Sequence, residues 1–437
     1  MQERISKAII TASYDDDGKD GSIEDKARKQ YEKEVKSGYY LPTHIFLRDK
    51  SRHKVTKFNF LMPIGESPNA RVPMIDFAML NTSKSDLESI AVVGDRVTEI
   101  NVKIFRDYFH DEKVRFGYEG EDWSFSRTLN SARKVIQPSK DEVVLILMGD
   151  TPLKYDFDKA LRDPDIADFD FIADCNSRRK TNKYWPRKYH AKLLHRGRYL
   201  AVKEPQILLA NLSELDQVSQ RLKLEEPILD MLYSSRKAHG NKGKSRQDKF
   251  REIFAPDVIT MLSTLRNLGP IYIYQLGRWV RRERGKPIPL NPKNIYNVVK
   301  NRMGIRFLMK ADNDDPSTIE DIDGLADWAN LSEMLIRAGS SIYPHYNEIL
   351  EFGEKTLQKL RVNVDFYNGF EDYMNSLFKG YGLPEPFVAG GKFVNPFTSS
   401  KVDEKTRLRS NRIIRGSIKR HKRYLRKTRI RRLIKSH

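Results

Sequence analysis

Cysteine is nearly absent from this 437-residue chain, which contains only Cys175. A single cysteine excludes an internal disulfide framework and is typical of proteins in a reducing compartment. Long apolar runs are missing as well: no stretch of about 18 apolar residues occurs, so no transmembrane helix is predicted. The first residues are charged and lack the apolar core of a signal peptide. We therefore expect a cytoplasmic protein.

Acidic residues are missing from the C-terminal end of the chain. Between Lys405 and His437 the sequence contains 15 Lys and Arg and no Asp or Glu, so the rest of the chain carries only +5 of the formal net charge of +20. Ile414, Ile418 and Leu425 fall near one face of a helix in this tail. A basic amphipathic helix binds an anionic membrane surface or the phosphates of RNA. The charge alone does not distinguish a tail that binds RNA from one that holds the protein at the surface of a membrane.

Apolar residues are numerous enough for a large core, at 39% of the chain, and the chain has 21 Phe and 20 Tyr. From about residue 43, short apolar runs alternate with segments of helical periodicity. The predicted strands are Phe58–Ile64, Ser89–Val93, Glu142–Met148, Phe169–Asp174, Tyr199–Asn211 and Ile305–Met309. This β-α-β-α order is typical of a sheet of mostly parallel strands covered by helices. We predict an α/β fold with a mostly parallel sheet, right-handed crossovers and helices on both faces.

Composition divides the chain into four predicted regions. Residues 1–42 are polar and charged and form an N-terminal extension, and residues 43–340 form the α/β domain. Residues 341–403 combine helices with a Gly/Pro-rich linker, and residues 404–437 are the basic tail. A helical C-terminal extension is therefore expected after the sheet.

The central predicted strand ends in Gly149-Asp150-Thr151-Pro152. A continuous apolar run rich in β-branched residues is typical of a strand that is buried on both faces. Ligands of open α/β sheets bind at the carboxyl ends of such strands. Asp150 is thus a candidate metal-holding carboxylate, although a turn cap would use the same residue.

The motif at Asp150 is one of six short motifs that occur in order along the chain. They are Gly65-Glu66, Arg71-Val72-Pro73, Gly94-Asp95, Leu129-Asn130, Gly149-Asp150-Thr151-Pro152 and Asp321-Ile322-Asp323. Over about residues 55–338 this ordered set resembles the MobA-like nucleotidyltransferase family, whose fold is the GT-A type, a Rossmann-like three-layer sandwich. The resemblance implies transfer of an NMP from an NTP to a phosphorylated sugar or polyol, with release of pyrophosphate.

The resemblance also implies a site. Asp150 and Asp323 would hold Mg²⁺, with Asp321 as an alternative to Asp323, and Asp150 and Arg71 would be catalytic. The residues expected to flank the nucleotide are Gly65, Glu66, Arg71, Gly94 and Asn130. Mg²⁺ prefers hard oxygen ligands and commonly takes one or two carboxylates together with substrate phosphates. For Asp323, capping of the next helix is an equally good interpretation.

The phosphate loop of this chain contains little glycine. The family's loop is Gly-rich because backbone N–H groups hold the triphosphate, whereas here only Gly65 remains before Pro73. Arg71 would grip a phosphate with its planar fork. Two alternatives follow: a GT-A glycosyltransferase that uses a nucleotide sugar, or a catalytically inactive GT-A-fold protein that binds nucleic acid or an anionic membrane.

A basic and aromatic segment spans residues 178–200. Within a GT-A fold it is expected to close over the phosphorylated substrate, with the anion bound by Arg178, Arg179, Arg187 and Lys188. Basic and aromatic residues also form platforms for nucleic acid. A solvated charged loop with Trp185 packed into the core is the third interpretation.

Overall fold

The computed structural model describes residues 5–12, 47–48, 54–68, 70–120, 124–154, 156–177, 191–203, 207–222, 255, 257–282, 288–313, 315, 322 and 324–435. The strands are β1 (Lys7–Thr11), β2 (Leu47–Arg48), β3 (Lys54–Val55), β4 (Leu61–Pro63), β5 (Arg71–Pro73), β6 (Ser89–Gly94), β7 (Val114–Tyr118), β8 (Val143–Met148), β9 (Phe171–Ser177), β10 (Ala191–His195), β11 (Arg198–Lys203), β12 (Ile207–Asn211), β13 (Ile288–Leu290) and β14 (Phe307–Asn313).

The helices follow the strands in the alternating order that the sequence predicts. They are α1 (Met74–Ser83), α2 (Arg96–Phe109), α3 (Phe125–Ile136), α4 (Asp158–Leu161), α5 (Leu212–Leu222), α6 (Val258–Leu268), α7 (Pro270–Arg282), α8 (Pro292–Met303), α9 (Leu325–Ala338), α10 (Tyr346–Asn363), α11 (Asp365–Asn368), α12 (Phe370–Gly380) and α13 (Glu404–Lys435). Short 3-10 helices include Lys57–Asn59 and Pro396–Thr398. Among the described residues, none of these helices is both long enough and apolar enough to cross a membrane.

The chain divides into two compact units that are interleaved along the sequence. Unit 1 comprises Met1–Ile9, Asp122–Leu147 and Asp158–Asp314. Unit 2 comprises Ile10–Glu121, Met148–Phe157 and Asp315–His437. Strands β1 and β8 therefore contribute their first residues to unit 1 and their last residues to unit 2.

Unit 1 contains the strand order β13-β10-β11-β9-β12-β8, with β14 also paired to β9. Strand β12 is antiparallel to both β8 and β9, while β14 is parallel to β9. The pairs β9–β11 and β11–β10 are antiparallel, and β13 is parallel to β10. Most strands of this unit consequently run in one direction, and only β11 and β12 oppose them.

Unit 2 contains the parallel pair β6–β7, in which Ile90 lies opposite Val114, and the antiparallel hairpin β4–β5. The residues of β6 are buried because the strand is central, and helix α2 follows it directly. Asp95 caps α2 by accepting a hydrogen bond from the Thr98 backbone N–H. The predicted Rossmann-like α/β fold, with a mostly parallel sheet and a helical C-terminal region, is confirmed.

The first strand differs from the prediction. Strand β1 (Lys7–Thr11) lies within residues 1–42, which the sequence suggests are an extension, whereas the predicted strand Phe58–Ile64 forms a 3-10 helix and the three-residue strand β4. The apolar part of β1 is only Ala8-Ile9-Ile10 between polar residues, so it carries too short a run to be recognised by periodicity. All three residues are fully buried.

The C-terminal segment is also more closely packed than the sequence suggests. Trp328 of α9 is fully buried, and its ring lies 6.0 Å from Phe378, 6.1 Å from Phe387 and 5.5 Å from Phe393 between ring centroids. Phe387 and Phe393 belong to the stretch predicted to be a Gly/Pro-rich linker. Because a few aromatic side chains bury a large apolar area without any periodic pattern, this stretch packs as part of unit 2.

Candidate active site at the carboxyl ends of three strands

The carboxyl ends of β1, β6 and β8 meet within unit 2. The backbone N–H of Ala12 donates to Val93 O at 2.8 Å, and that of Gly149 donates to Thr11 O at 3.0 Å. The strand ends can come this close because residues 94 and 149 are both glycine. A Cβ on Gly94 would lie 3.1 Å from Ala12 O, and one on Gly149 would lie 3.0 Å from Thr11 O. The three strand ends thus lie close together at the carboxyl edge of the sheet, which is the edge where open α/β sheets bind ligands.

Asp150 follows Gly149 directly and forms an ion pair with Lys57. The Lys57 Nζ lies 2.7 Å from Asp150 Oδ2, and the two side chains are only 9% and 14% exposed. Lys57 is the first residue of the 3-10 helix Lys57–Asn59, and its ammonium group contacts Asp150 in the turn after β8. The same Nζ donates to Ile322 O at 2.8 Å. One ammonium group therefore joins three segments that are distant in sequence.

The second oxygen of Asp150 has no described partner. Asp150 Oδ1 is buried and accepts no hydrogen bond from any described residue. A buried carboxylate oxygen left without a partner costs free energy, so such atoms mark places where an ion, a water molecule or a ligand fits. No group of three or more His, Cys, Asp or Glu converges among the described residues. One carboxylate plus substrate phosphates is nevertheless a usual ligand set for Mg²⁺, so Asp150 fits that ion.

Ile322, the middle residue of the late Asp-x-Asp motif, is bonded to the backbone of Asp150. The backbone N–H of Ile322 donates to Asp150 O at 2.9 Å. Its neighbours Asp321 and Asp323 lie outside the described residues, so the predicted metal role of Asp323 stays a prediction.

Further contacts fix the turn that follows Asp150. The Asn81 side chain donates to Pro152 O at 3.1 Å. Lys154 Nζ lies 3.1 Å from Asp315 Oδ2, and both side chains are buried. Buried ion pairs hold a geometry well when both partners are present. Contacts at Pro152 and Lys154 therefore hold the turn that follows Asp150.

A buried polar cluster lies next to this site, at the end of β6. Asn59 Nδ2 lies 3.3 Å from Asp95 Oδ1 and 3.2 Å from Thr98 Oγ1, and Asn101 donates to Asn59 Oδ1 at 2.7 Å. Burial raises the pKa of Asp95 to about 6, although hydrogen bonds from Thr98 and Asn59 oppose the rise. Asp95 Oδ2 is buried and has no partner among the described residues.

Asp95 should make folding pH-dependent. A raised carboxyl pKa means that the folded state binds the proton more tightly, so this contribution to stability is complete below the unfolded pKa and is lost as the pH rises through about 6. As the pH rises from the unfolded to the folded pKa, we expect the free energy of unfolding of Asp95→Asn to fall by about 3 kcal/mol less than that of the parent protein. Asn keeps the cap oxygen for Thr98. Urea unfolding at a series of pH values measures the difference.

The control for this prediction is Asp141→Asn, because Asp141 is exposed. It should reproduce the pH dependence of the parent. Parallel stability curves for the parent and both variants would contradict the assignment to Asp95.

Three of the predicted nucleotide residues lie in the β4–β5 hairpin. Gly65 has a φ of +66°, and its N–H donates to the Tyr346 hydroxyl at 2.8 Å. Glu66 is exposed. Arg71 is buried, forms an ion pair with Glu371, and donates to a backbone carbonyl of the C-terminal segment. Its hydrogen-bonding partners among the described residues thus come from the C-terminal part of unit 2, and no described contact joins it to Asp150.

Burial lowers the pKa of Arg71 to about 10, helped by the nearby positive charge of Arg361. Its guanidinium also lies 4.5 Å from the ring centroid of Phe387. Asn130 is exposed on α3 in unit 1. Of the predicted nucleotide residues, only Gly94 lies at the strand ends beside Asp150.

The predicted anion-binding residues Arg178, Arg179, Arg187 and Lys188 lie outside the described residues, so their role stays a prediction. Lys57, Asn59 and Asp95 are not among the site residues predicted from the sequence. No local pattern marks Lys57, because its partner Asp150 lies 93 residues away in the sequence. Asp95 repeats the Gly-Asp pair of the central strand at the end of β6.

No protein-family model and no curated protein matches this sequence. Solved structures do resemble it. A hypothetical transferase structure from Thermus thermophilus has 13% identity and a TM-score of 0.39, over 74% of this chain and 99% of that chain. The inositol-1-phosphate CTP transferase from T. maritima has 11% identity and a TM-score of 0.31, over 49% and 74%.

A third similar structure is 4-diphosphocytidyl-2C-methyl-D-erythritol synthase from Anaerococcus prevotii, with 11% identity and a TM-score of 0.32, over 76% of this chain and 99% of that chain. At these identities the likeness shows the fold alone.

Proposed function

We propose that this protein is a nucleotidyltransferase that transfers an NMP from an NTP to a phosphorylated sugar or polyol and releases pyrophosphate. The observation that supports the proposal most is the Asp150–Lys57 pair at the ends of β1, β6 and β8, with Asp150 Oδ1 left without a described partner. The MobA-like subgroup is the family we infer from the ordered motifs. The cytoplasmic location stays a prediction.

The reaction forms and breaks one bond each. A phosphate oxygen of the acceptor attacks the α-phosphorus. The bond between that phosphorus and the oxygen that bridges the α- and β-phosphates breaks. The bridging oxygen leaves with the electron pair as part of pyrophosphate. Charge neutralisation and in-line positioning contribute most to such a step.

The residues of the site divide this work. Asp150 would hold Mg²⁺ through Oδ1, and the ion when bound supplies charge neutralisation for the phosphate oxygens. Lys57 keeps Asp150 aimed by its bond to Oδ2 and contributes a positive charge in a place with little water. Gly94 and Gly149 allow the close packing of the strand ends that places Asp150 at the edge of the sheet. For Arg71 to reach a phosphate, its ion pair with Glu371 would first have to open.

The proposal is tested by pyrophosphate release from each of the four NTPs against a panel of sugar and polyol phosphates, with and without Mg²⁺. We expect turnover with one NTP and one class of acceptor, and none without the divalent ion. Formation of an NDP-linked product identifies nucleotidyl transfer. Release of a free nucleoside diphosphate from an NDP-sugar instead would support a glycosyltransferase, and absence of any NTP turnover or metal-dependent NTP binding would overturn the proposal.

A further inference from the structure

The C-terminal helix α13 (Glu404–Lys435) is anchored to unit 2 along one face. The buried residues of that face recur every three or four positions and are Thr406, Ser410, Ile413, Ile414, Ser417 and His421. They pack with α9 and with the 3-10 helix Pro396–Thr398. The Tyr424 hydroxyl then donates to Asp156 Oδ2 at 2.8 Å. The helix is therefore held in place from its first turns to about residue 424.

The opposite face of the same helix carries a stripe of positive charge. Six exposed basic residues recur at helical spacing, namely Arg412, Arg415, Lys419, Lys422, Arg426 and Arg429. At 3.6 residues per turn, this stripe lies about 160° around the helix from the buried face. None of the six pairs with an acidic or hydrogen-bonding side chain in the described part of the chain. We call these six residues the basic stripe.

The dimensions of the basic stripe match a polyphosphate backbone. From Arg412 to Arg429 it is about 26 Å long at 1.5 Å per residue. A nucleic-acid strand of that length presents roughly eight phosphates, at about 3.4 Å of axis per phosphate. The six positive charges are thus spread over a length that carries a similar number of phosphate charges. Packing of the buried face sets the direction of the stripe before a partner arrives, which reduces the entropy lost on binding.

A membrane surface fits this helix less well. An interfacial helix inserts an apolar face beside its basic residues. Here Ile413 and Ile414 are already buried in unit 2. Among the described side chains, the exposed large apolar residues of α13 are Leu408 and Ile430, which lie outside the span of the basic stripe. Between Arg412 and Arg429, the described residues of α13 therefore include no exposed large apolar side chain that could insert into a membrane.

We propose that the basic stripe binds the phosphate backbone of a nucleic acid. Binding of this kind reads no sequence and depends strongly on salt. The basic stripe shares no residue with the proposed transferase site, so nucleic-acid binding and transferase activity can be tested separately.

The test uses the full-length protein and a variant in which all six stripe residues are replaced by Gln, a good helix former. Affinity for single-stranded RNA and for duplex DNA is measured by fluorescence anisotropy across a salt series. For the duplex, the slope of log K against log salt should fall in magnitude by up to about 5 in the variant. Thermal unfolding checks that both proteins are folded.

The charge-matched control changes six exposed basic residues elsewhere to Gln: Lys103, Lys134, Lys140, Arg266, Lys379 and Lys392. It has the same net charge as the stripe variant and should keep most of the parental salt dependence. Equal loss in both variants would overturn the proposal, because net charge alone would then explain binding. Stripe-dependent binding to phosphatidylserine vesicles without binding to either nucleic acid would also overturn it.

Discussion

Asp150→Asn is expected to reduce the kcat of NTP-dependent pyrophosphate release by about 10²–10³-fold, which is the usual loss when one preorganised electrostatic group is removed. Asn keeps an oxygen to accept the hydrogen bond from Lys57 but removes the negative charge that would hold Mg²⁺. We expect the Mg²⁺ concentration needed for half-maximal rate to rise as well. Steady-state kinetics across a Mg²⁺ series measures both effects.

The matched control is Asp141→Asn, which removes an exposed carboxylate before β8 and should leave the rate unchanged. Urea unfolding of each variant corrects the rates for any unfolded fraction. A fully active, folded Asp150→Asn protein would show that the metal-holding group lies elsewhere. It would leave the fold and the basic stripe unaffected.

Lys57→Met is expected to lower the free energy of unfolding by about 3–5 kcal/mol, because it leaves the Asp150 charge buried without a partner. The two side chains are 9% and 14% exposed, so water replaces the lost interaction poorly. The double variant Lys57→Met/Asp150→Asn should recover part of this loss, since neither charge remains. A double-mutant cycle by urea unfolding gives the coupling, which we expect to be about 1–3 kcal/mol.

Lys103→Met is the control for the cycle. Lys103 is exposed on α2, and surface substitutions of this kind change stability by about 0.5 kcal/mol or less. If the effects of Lys57→Met and Asp150→Asn simply add, the ion pair contributes nothing specific. The site would then need another explanation for the buried ammonium group.

Sequence patterns located the elements with strong signals. The apolar run before Gly149 gave β8, and the periodic segment after Asp95 is helix α2 over Arg96–Phe109. The sequence identifies Asp150 because the long apolar run marks strand β8 and so also marks the residues at its carboxyl end. Lys57 was missed because a basic residue beside Phe58 carries no signal of burial until the partner carboxylate is known.

Other failures have a different physical origin. Strand β1 contains only three consecutive apolar residues, so its central position depends on pairing that no local pattern encodes. Arg71 matched the expected position of a phosphate-binding cation, yet the structure pairs it with Glu371, which is 300 residues away in the sequence. Short-range patterns cannot reveal a partner at that distance.

The bond between Ile322 and Asp150 also has a consequence for how the protein folds. Lys57, Asp150 and Ile322 are joined by hydrogen bonds whose partners are 93 and 265 residues apart along the chain. Contacts of such high sequence separation form slowly, because the entropy of closing long loops must be lost before the contacts stabilise anything. During synthesis the site cannot close until residue 322 has left the ribosome. In refolding experiments, binding of an NTP should therefore return later than helical circular dichroism.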